Sequence, residues 1–364
     1  MSPRPVLAVL VCLTFPAPAV AANLLVTTNA DSGAGSLRAA IATANGNGEA
    51  DVITFSGPMT IPVGAALSIT GATTITGQGN GLSGTVLDGG GAARVIDVGN
   101  ATITLSQLRV TGGQASTAAN EGGSGIAVAQ GTLNLDRVVV NGNNVTDDPS
   151  SGFGGAVRGM NGATLNITDS EISQNTIFGG SGANGGGIAV YASTLNLSRS
   201  TLSGNAADVS GDGGGGGLYI DGTAVITNST ISGNQTGTGG GGGILFDGGD
   251  LSLLHTTLTA NSTANTGRLG GGLLVNAVGR TANVKNSILS GNVELASTPS
   301  NCLIAPLTGS LIDNQGGNAE NGTTCGFGAA MNPLLTSLGS LGGMTFTHLP
   351  QVGSQALNIG VTCP

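Results

Sequence analysis

Leu195-Asn196-Leu197, followed five residues on by Leu202-Ser203-Gly204-Asn205, decides the fold, because both pieces recur along the chain in fixed relation. Ile172-Ser173-Gln174-Asn175, Ile231-Ser232-Gly233-Asn234, Leu258-Thr259-Ala260-Asn261 and Leu289-Ser290-Gly291-Asn292 repeat the second piece. The closing residues Asn143, Asn175, Asn205, Asn234, Asn261 and Asn292 stand 32, 30, 29, 27 and 31 residues apart. Eight before each stands Leu135, Ile167, Leu197, Ile226, Leu253 or Val284; ten before stands Leu133, Leu165, Leu195, Ala224, Leu251 or Ala282. Apolar residues at period two mark strands with one buried face.

A second alternating segment follows each glycine run, as in Gly187-Ile188-Ala189-Val190 and Gly243-Ile244-Leu245-Phe246, which places Phe246 inward. Three short strands per repeat describe one coil of a solenoid, stacked about 4.8 Å above the last. The fold class is therefore all-β: a single-stranded, right-handed parallel β-helix of about ten coils. The Asn closing each repeat suits a tight bend, since Asn tolerates left-handed backbone, and its amide can hydrogen-bond to the same Asn one coil up. These six Asn residues are expected to be structural.

Solenoid ends need covering, or their strand edges pair with other chains. Leu37, Ala40, Ile41 and Ala44 share one helical face within Ser36–Asn45, and Gly46 follows as a stop, so an N-terminal capping helix is expected there. The chain divides into a signal peptide (1–22), an N-terminal cap (23–60), β-helix repeats (61–295) and C-terminal coils with a disulfide-bearing cap (296–364). Arg4, the apolar run Val6–Phe15 and a small-residue site at Ala19-Val20-Ala21 or Val20-Ala21-Ala22 carry the signal reading, which removes Cys12. That run is too short to cross a bilayer, and no other stretch is long and apolar enough.

Composition fits this picture. Aromatics are only 2% and Gly reaches 67 residues, so a core of large rings is excluded, while 39% hydrophobic residues argue against disorder. A net charge of −9 with Lys and Arg scattered argues against nucleic acid or anionic lipid as partner. Export leaves Cys302, Cys325 and Cys363; Cys302 with Cys325 is the preferred disulfide, leaving Cys363 free or paired with a neighbour.

Resemblances attach to three segments. Val26-Thr27-Thr28-Asn29-Ala30-Asp31-Ser32-Gly33, Gly35-Ser36-Leu37-Arg38-Ala39-Ala40-Ile41 and Asp51-Val52-Ile53-Thr54-Phe55 resemble the N-terminal CSLREA segment of bacterial surface and secreted β-helix proteins, with Gly35 and Ala39 in place of its Cys and Glu. Gly154-Gly155-Ala156-Val157 and the later glycine runs, alternating with Ser-x-Asn, are similar to the GGA[ILV]/FxxN repeats of chlamydial polymorphic outer-membrane proteins, with Ile or Leu for the Phe. Asn301-Cys302, Leu311-Ile312-Asp313-Asn314, Cys325-Gly326-Phe327, Asn332-Pro333-Leu334-Leu335 and Thr347-His348-Leu349 resemble the C-terminal part of choice-of-anchor Q proteins. These resemblances imply the pectin-lyase-like superfold, a bacterial source and a secreted, cell-surface or outer-membrane location. They leave function open, because many functions share that scaffold.

Enzymes on this scaffold gather carboxylates, often with calcium, beside a Lys, Arg or His on one outer strand face. Six before each Asn the column reads Arg137, Asp169, Arg199, Asn228, His255 and Asn286, which suggests a surface charge ladder at its start rather than a catalytic group. His255 reads as a solvated polar residue and His348 as structural. No catalytic residue and no cofactor are assigned; calcium is weighed at Asp147, Asp148, Asp208 and Asp212, placed in loops on one side. Among aromatics, Tyr191 and Tyr219 could share one exterior face in adjacent coils, a hint of carbohydrate contact against the plainer reading of partly exposed strand residues. An ice-binding solenoid would want a regular Thr-x-Thr column, which only Thr74-x-Thr76 approaches in this reading. The expected function is a monomeric, non-enzymatic, adhesin-like or structural protein whose loops contact a polysaccharide, matrix or cell-surface ligand. The alternative is a polysaccharide lyase acting on an acidic polysaccharide.

Overall fold

The structure is a computed structural model that describes residues 21–361 apart from 82, 117–121, 149–153, 180–182, 209–213, 238, 265–269, 296–297 and 307. Its strands stack as a parallel β-solenoid of about nine turns. Three sheets run along the stack, which we call A, B and C, with 17, 10 and 8 strands. One coil shows the plan. Ile188–Ser198 lies in sheet A, Thr201–Ser203 in sheet B and Ala206–Asp208 in sheet C. The next coil repeats it in register, with Leu195 opposite Ala224, Leu202 opposite Ile231 and Ala206 opposite Gln235.

The alternation read from sequence is the core. Leu133, Leu165, Leu195, Ala224, Leu251 and Ala282 are buried in one column, and Leu135, Ile167, Leu197, Ile226, Leu253 and Val284 in the next. Sheet B adds Val140, Ile172, Leu202, Ile231, Leu258 and Leu289, and Phe246 points inward as expected. Each such Leu, Ile or Val contributes about 1.5–3 kcal/mol by leaving water, so stacked columns of small side chains substitute for the missing aromatics.

Corner geometry corrects one expectation. The left-handed residue is the one before each Asn: Gly142, Gln174, Gly204, Gly233, Ala260 and Gly291 have φ of 54–68°. The Asn supplies the amide instead. A second left-handed column closes the turn from sheet A to sheet B, at Arg137, Asp169, Arg199, Asn228, His255 and Asn286, with φ of 47–54°. Glycine runs serve close approach: a Cβ on Gly216 would stand 2.3 Å from the Gln235 carbonyl oxygen one coil on.

The helix Leu37–Asn47 (α1) covers the N-terminal end, burying Leu37, Ala40, Ile41 and Ala44. Ser36 caps it, its hydroxyl accepting the Ala39 N–H at 3.2 Å. The stop is Gly48 at φ 76° and not Gly46, so the helix runs two residues further than expected. At the other end Cys302 and Cys325 are disulfide-bonded, with Cα atoms 4.9 Å apart. Cys363 and the signal segment 1–20 lie outside the described residues.

Candidate functional site

The six Asn residues form an unbroken buried ladder. Asn143 Nδ2 donates to Asn175 Oδ1 at 3.0 Å, and the links Asn175–Asn205, Asn205–Asn234, Asn234–Asn261 and Asn261–Asn292 are each 2.9 Å. Asn292 continues it to Asn301 at 3.1 Å. From Asn175 onward each Oδ1 also takes the backbone N–H of the Asn one coil earlier, Asn143 Oδ1 takes the Gly113 N–H at 2.9 Å, and each Nδ2 reaches a strand carbonyl, such as Val140 O from Asn175. Every polar atom of these side chains is consumed by the corner, which leaves nothing for a ligand.

A parallel ladder lies five residues earlier, one that the sequence expectations do not include. Val138 N–H donates to Ser170 Oγ, Ser170 N–H to Ser200 Oγ, Ser200 N–H to Ser229 Oγ and Thr256 N–H to Ser287 Oγ, at 3.0–3.1 Å. The signal was present in the same alignment: the fifth residue before each Asn reads Val138, Ser170, Ser200, Ser229, Thr256 and Ser287.

The charge ladder is partly realised. Arg199 forks onto Asp169 with two contacts of 2.8 Å and holds its carboxyl below the usual carboxylate range, against the opposing effect of burial. Arg137 pairs with its neighbour Asp136 at 2.6 Å instead. His255 sits at the same corner column, and His348 bridges Ser232 at 2.8 Å and the Thr336 carbonyl at 2.7 Å, the structural part expected of it.

Tyr191 and Tyr219 do stack across adjacent coils, their ring centroids 4.8 Å apart. They are not an open platform. Tyr219 is 5% exposed, packed with Ala189, Leu245 and Leu274, and its hydroxyl donates to Asp247 at 2.9 Å. Burial raises both phenols far above their ordinary range. Of the calcium candidates, Asp147, Asp148 and Asp208 fall in strands and not loops, and Asp212 lies outside the described residues. Among the described residues, no three His, Cys, Asp or Glu side chains gather as a metal site.

A cleft of about 290 Å³ opens on the early coils of sheet A, lined by Ser68, Arg94, Asp97, Ala127, Arg158 and Met160. Arg94 is held there by Asp97 at 2.5 Å and by the Gly122 and Gly123 carbonyls. Its walls are mostly apolar side chains and backbone, with the Arg94–Asp97 pair and the Arg158 guanidinium among them.

A regular outer surface runs along the second half of sheet A. Register places Thr102, Thr132, Thr164, Thr194 and Thr223 in one outward row, continued by Asp250. Two residues along each strand run Thr104, Asn134, Asn166, Asn196, Val225, Ser252 and Asn283. Two further on stand Ser106, Asp136, Thr168, Ser198, Thr227, Leu254 and Lys285. The middle row is tied by its own amides: Asn196 Nδ2 donates to Asn166 Oδ1 and Asn166 to Asn134, both at 2.8 Å, and Asn134 to Thr104 at 3.1 Å. Thr102-x-Thr104 joins the expected Thr74-x-Thr76 as a Thr-x-Thr pair, and on the following coils Thr132, Thr164 and Thr194 are each partnered by Asn instead. No family model matches the chain, and no curated protein is similar to it.

Proposed function

We propose that the protein is a secreted or surface-exposed, adhesin-like solenoid that holds an extended, repeating ligand against the outer face of the second half of sheet A. The observation that carries this reading is the register-matched rows of short hydroxyl and amide side chains across successive coils. A rigid surface that repeats at one spacing binds best to a partner that also repeats, because each coil then adds the same contact without fresh ordering cost. The loops expected to make this contact lie largely outside the described residues, and the sheet face is the candidate among the described ones. A pattern of disulfide, apolar columns and no membrane-length helix among the described residues is compatible with an exported protein.

The protein also supports its own precedent for such contact. The segment Thr345–His348 crosses sheet B using that sheet's hydroxyls: Thr201 donates to the Phe346 carbonyl at 2.5 Å, Thr230 pairs with Thr347 at 3.2 Å and Ser232 with His348. A polar strand laid across the coils is thus a ligand that this kind of surface accepts. Co-sedimentation of the purified chain with a panel of insoluble polysaccharides and matrix proteins tests the reading, with Asn166→Arg as the face variant. Retention that the variant abolishes supports it. Release of unsaturated products from an acidic polysaccharide, followed by absorbance, would replace it with the lyase alternative.

A further inference from the structure

We propose that the repeating partner of this face is crystalline water, so that the Thr and Asn rows of sheet A form an ice-binding surface. The inference rests on the face being the contact surface and names what it contacts.

Charge comes first. Across the three rows from Thr102 to Lys285 only Asp136, Asp250 and Lys285 are charged, and Asp136 is neutralised by Arg137. A chain of net charge −9 that keeps one long face almost neutral presents it to a neutral partner. Acidic polysaccharide and nucleic acid are poor matches for it. Next, the rows carry no aromatic ring, so sugar rings have nothing to stack on, which disfavours a crystalline glycan.

The remaining property is order. Rows repeat about 4.8 Å from coil to coil and about 6.6 Å between the Thr and Asn positions of one strand. Thr is stiff at χ1, so its methyl and hydroxyl are held in place. The Asn row is locked by its own ladder, whereas among the described residues no group bonds to the hydroxyls of Thr102, Thr132, Thr164, Thr194 or Thr223. Free hydroxyls at fixed spacing, separated by methyl groups, impose a lattice on first-layer water and exclude its disordered arrangements. Sheet B offers the contrast. Its residues Thr201 and Thr230 are 0% and 4% exposed beneath the returning tail, so that part of sheet B is covered where the sheet A rows are open.

The test grows ice slowly through a dilute solution of the full chain and measures protein in the ice and in the remaining liquid, beside crystal shaping under a cold-stage microscope. Wild type is expected to be enriched in ice severalfold over a globular control protein and to facet the crystals. The double variant Thr164→Arg/Thr194→Arg, and separately Thr102→Arg on an independent coil, are expected to fall to the control level, with circular dichroism verifying the fold. Val278→Arg, at a position 76% exposed outside the rows, is expected to retain enrichment. Exclusion of wild type from ice overturns the inference, as does equal enrichment of wild type and both face variants. Polymer binding lost in Asn166→Arg together with exclusion from ice would overturn the ice assignment while leaving the contact face intact. Exclusion from ice with polymer binding unaffected by any face variant would overturn both.

Discussion

Cutting Asn205 back to Ala tests the corner ladder where it is most enclosed. The side chain is 0% exposed. Its Oδ1 accepts from the Asn175 N–H at 3.2 Å and from Asn175 Nδ2 at 2.9 Å, while its Nδ2 donates to Ile172 O and to Asn234 Oδ1, each at 2.9 Å. Truncation therefore strands two donors on Asn175 and takes one donor from the Ile172 carbonyl, which lies within the sheet B ladder. Asn234 Oδ1 keeps its second donor, the Asn205 N–H at 2.9 Å. Each buried group left unpaired costs about 1–3 kcal/mol. Settling of the corner, or a water in the vacated space, recovers part of that. The expected loss is about 3–5 kcal/mol, in the range that marks disruption of a buried network. Asn196→Ala is the matched reference, since its one link to Asn166 lies on the surface and its removal should cost under about 0.5 kcal/mol. Urea unfolding followed by far-ultraviolet circular dichroism reads both, with midpoints compared at a common slope. Hydrogen exchange at the Asn175 amide should quicken in Asn205→Ala alone. Equal midpoints for the two variants would refute the ladder as a source of stability.

Ser200→Ala strands the Ser170 N–H, and a loss of about 1–3 kcal/mol is expected in the same unfolding assay. Asp169 titrates below its ordinary value because Arg199 binds it, so the pair's contribution is complete above the unfolded carboxylate value near ~3.9 and is lost as pH falls through the lower folded value. Nuclear magnetic resonance titration should show that midpoint rising in Arg199→Ala. Reduction of Cys302–Cys325, which spans 23 residues of sequence, should cost about 3 kcal/mol by the chain-entropy account, read as a lowered unfolding midpoint in reductant.

The core columns and the Asn ladder were legible because burial and corner satisfaction act on every coil alike, so each coil writes the same residue types at the same offset. The Leu195 and Leu197 columns and the links from Asn143 to Asn292 are where the repeat placed them. The helix face of α1 was legible for the same reason, while its end was not: Gly46 and Gly48 both read as stops, and only Gly48 takes the left-handed backbone. Tyr191 and Tyr219 were placed on the right face and Tyr191 is partly buried as the plainer reading had it, but Tyr219 is covered, because Leu245 and Leu274 share that outward column and bury it from outside the solenoid. Period-two alternation says which side a residue faces, and nothing about what covers that side.

The Thr row went unseen for a different reason. Counted from the closing Asn, its members stand eleven residues earlier, at Thr132, Thr164, Thr194 and Thr223, whereas the charged residues that suggest chemistry stand six earlier. The fold does not demand Thr there. Asp250 occupies the same row and Val225 the adjacent one without disturbing the register, and no core contact or hydrogen bond among the described residues uses the Thr side chains. Strand propensity favours Thr, yet it favours Val and Ile as much, at the cost of an exposed apolar patch. Propensity and ligand recognition therefore part at one substitution. If the row serves the strand alone, Thr164→Val and Thr194→Val leave both the unfolding midpoint and the partition into ice unchanged; if its hydroxyls order water, the midpoint holds while the partition falls.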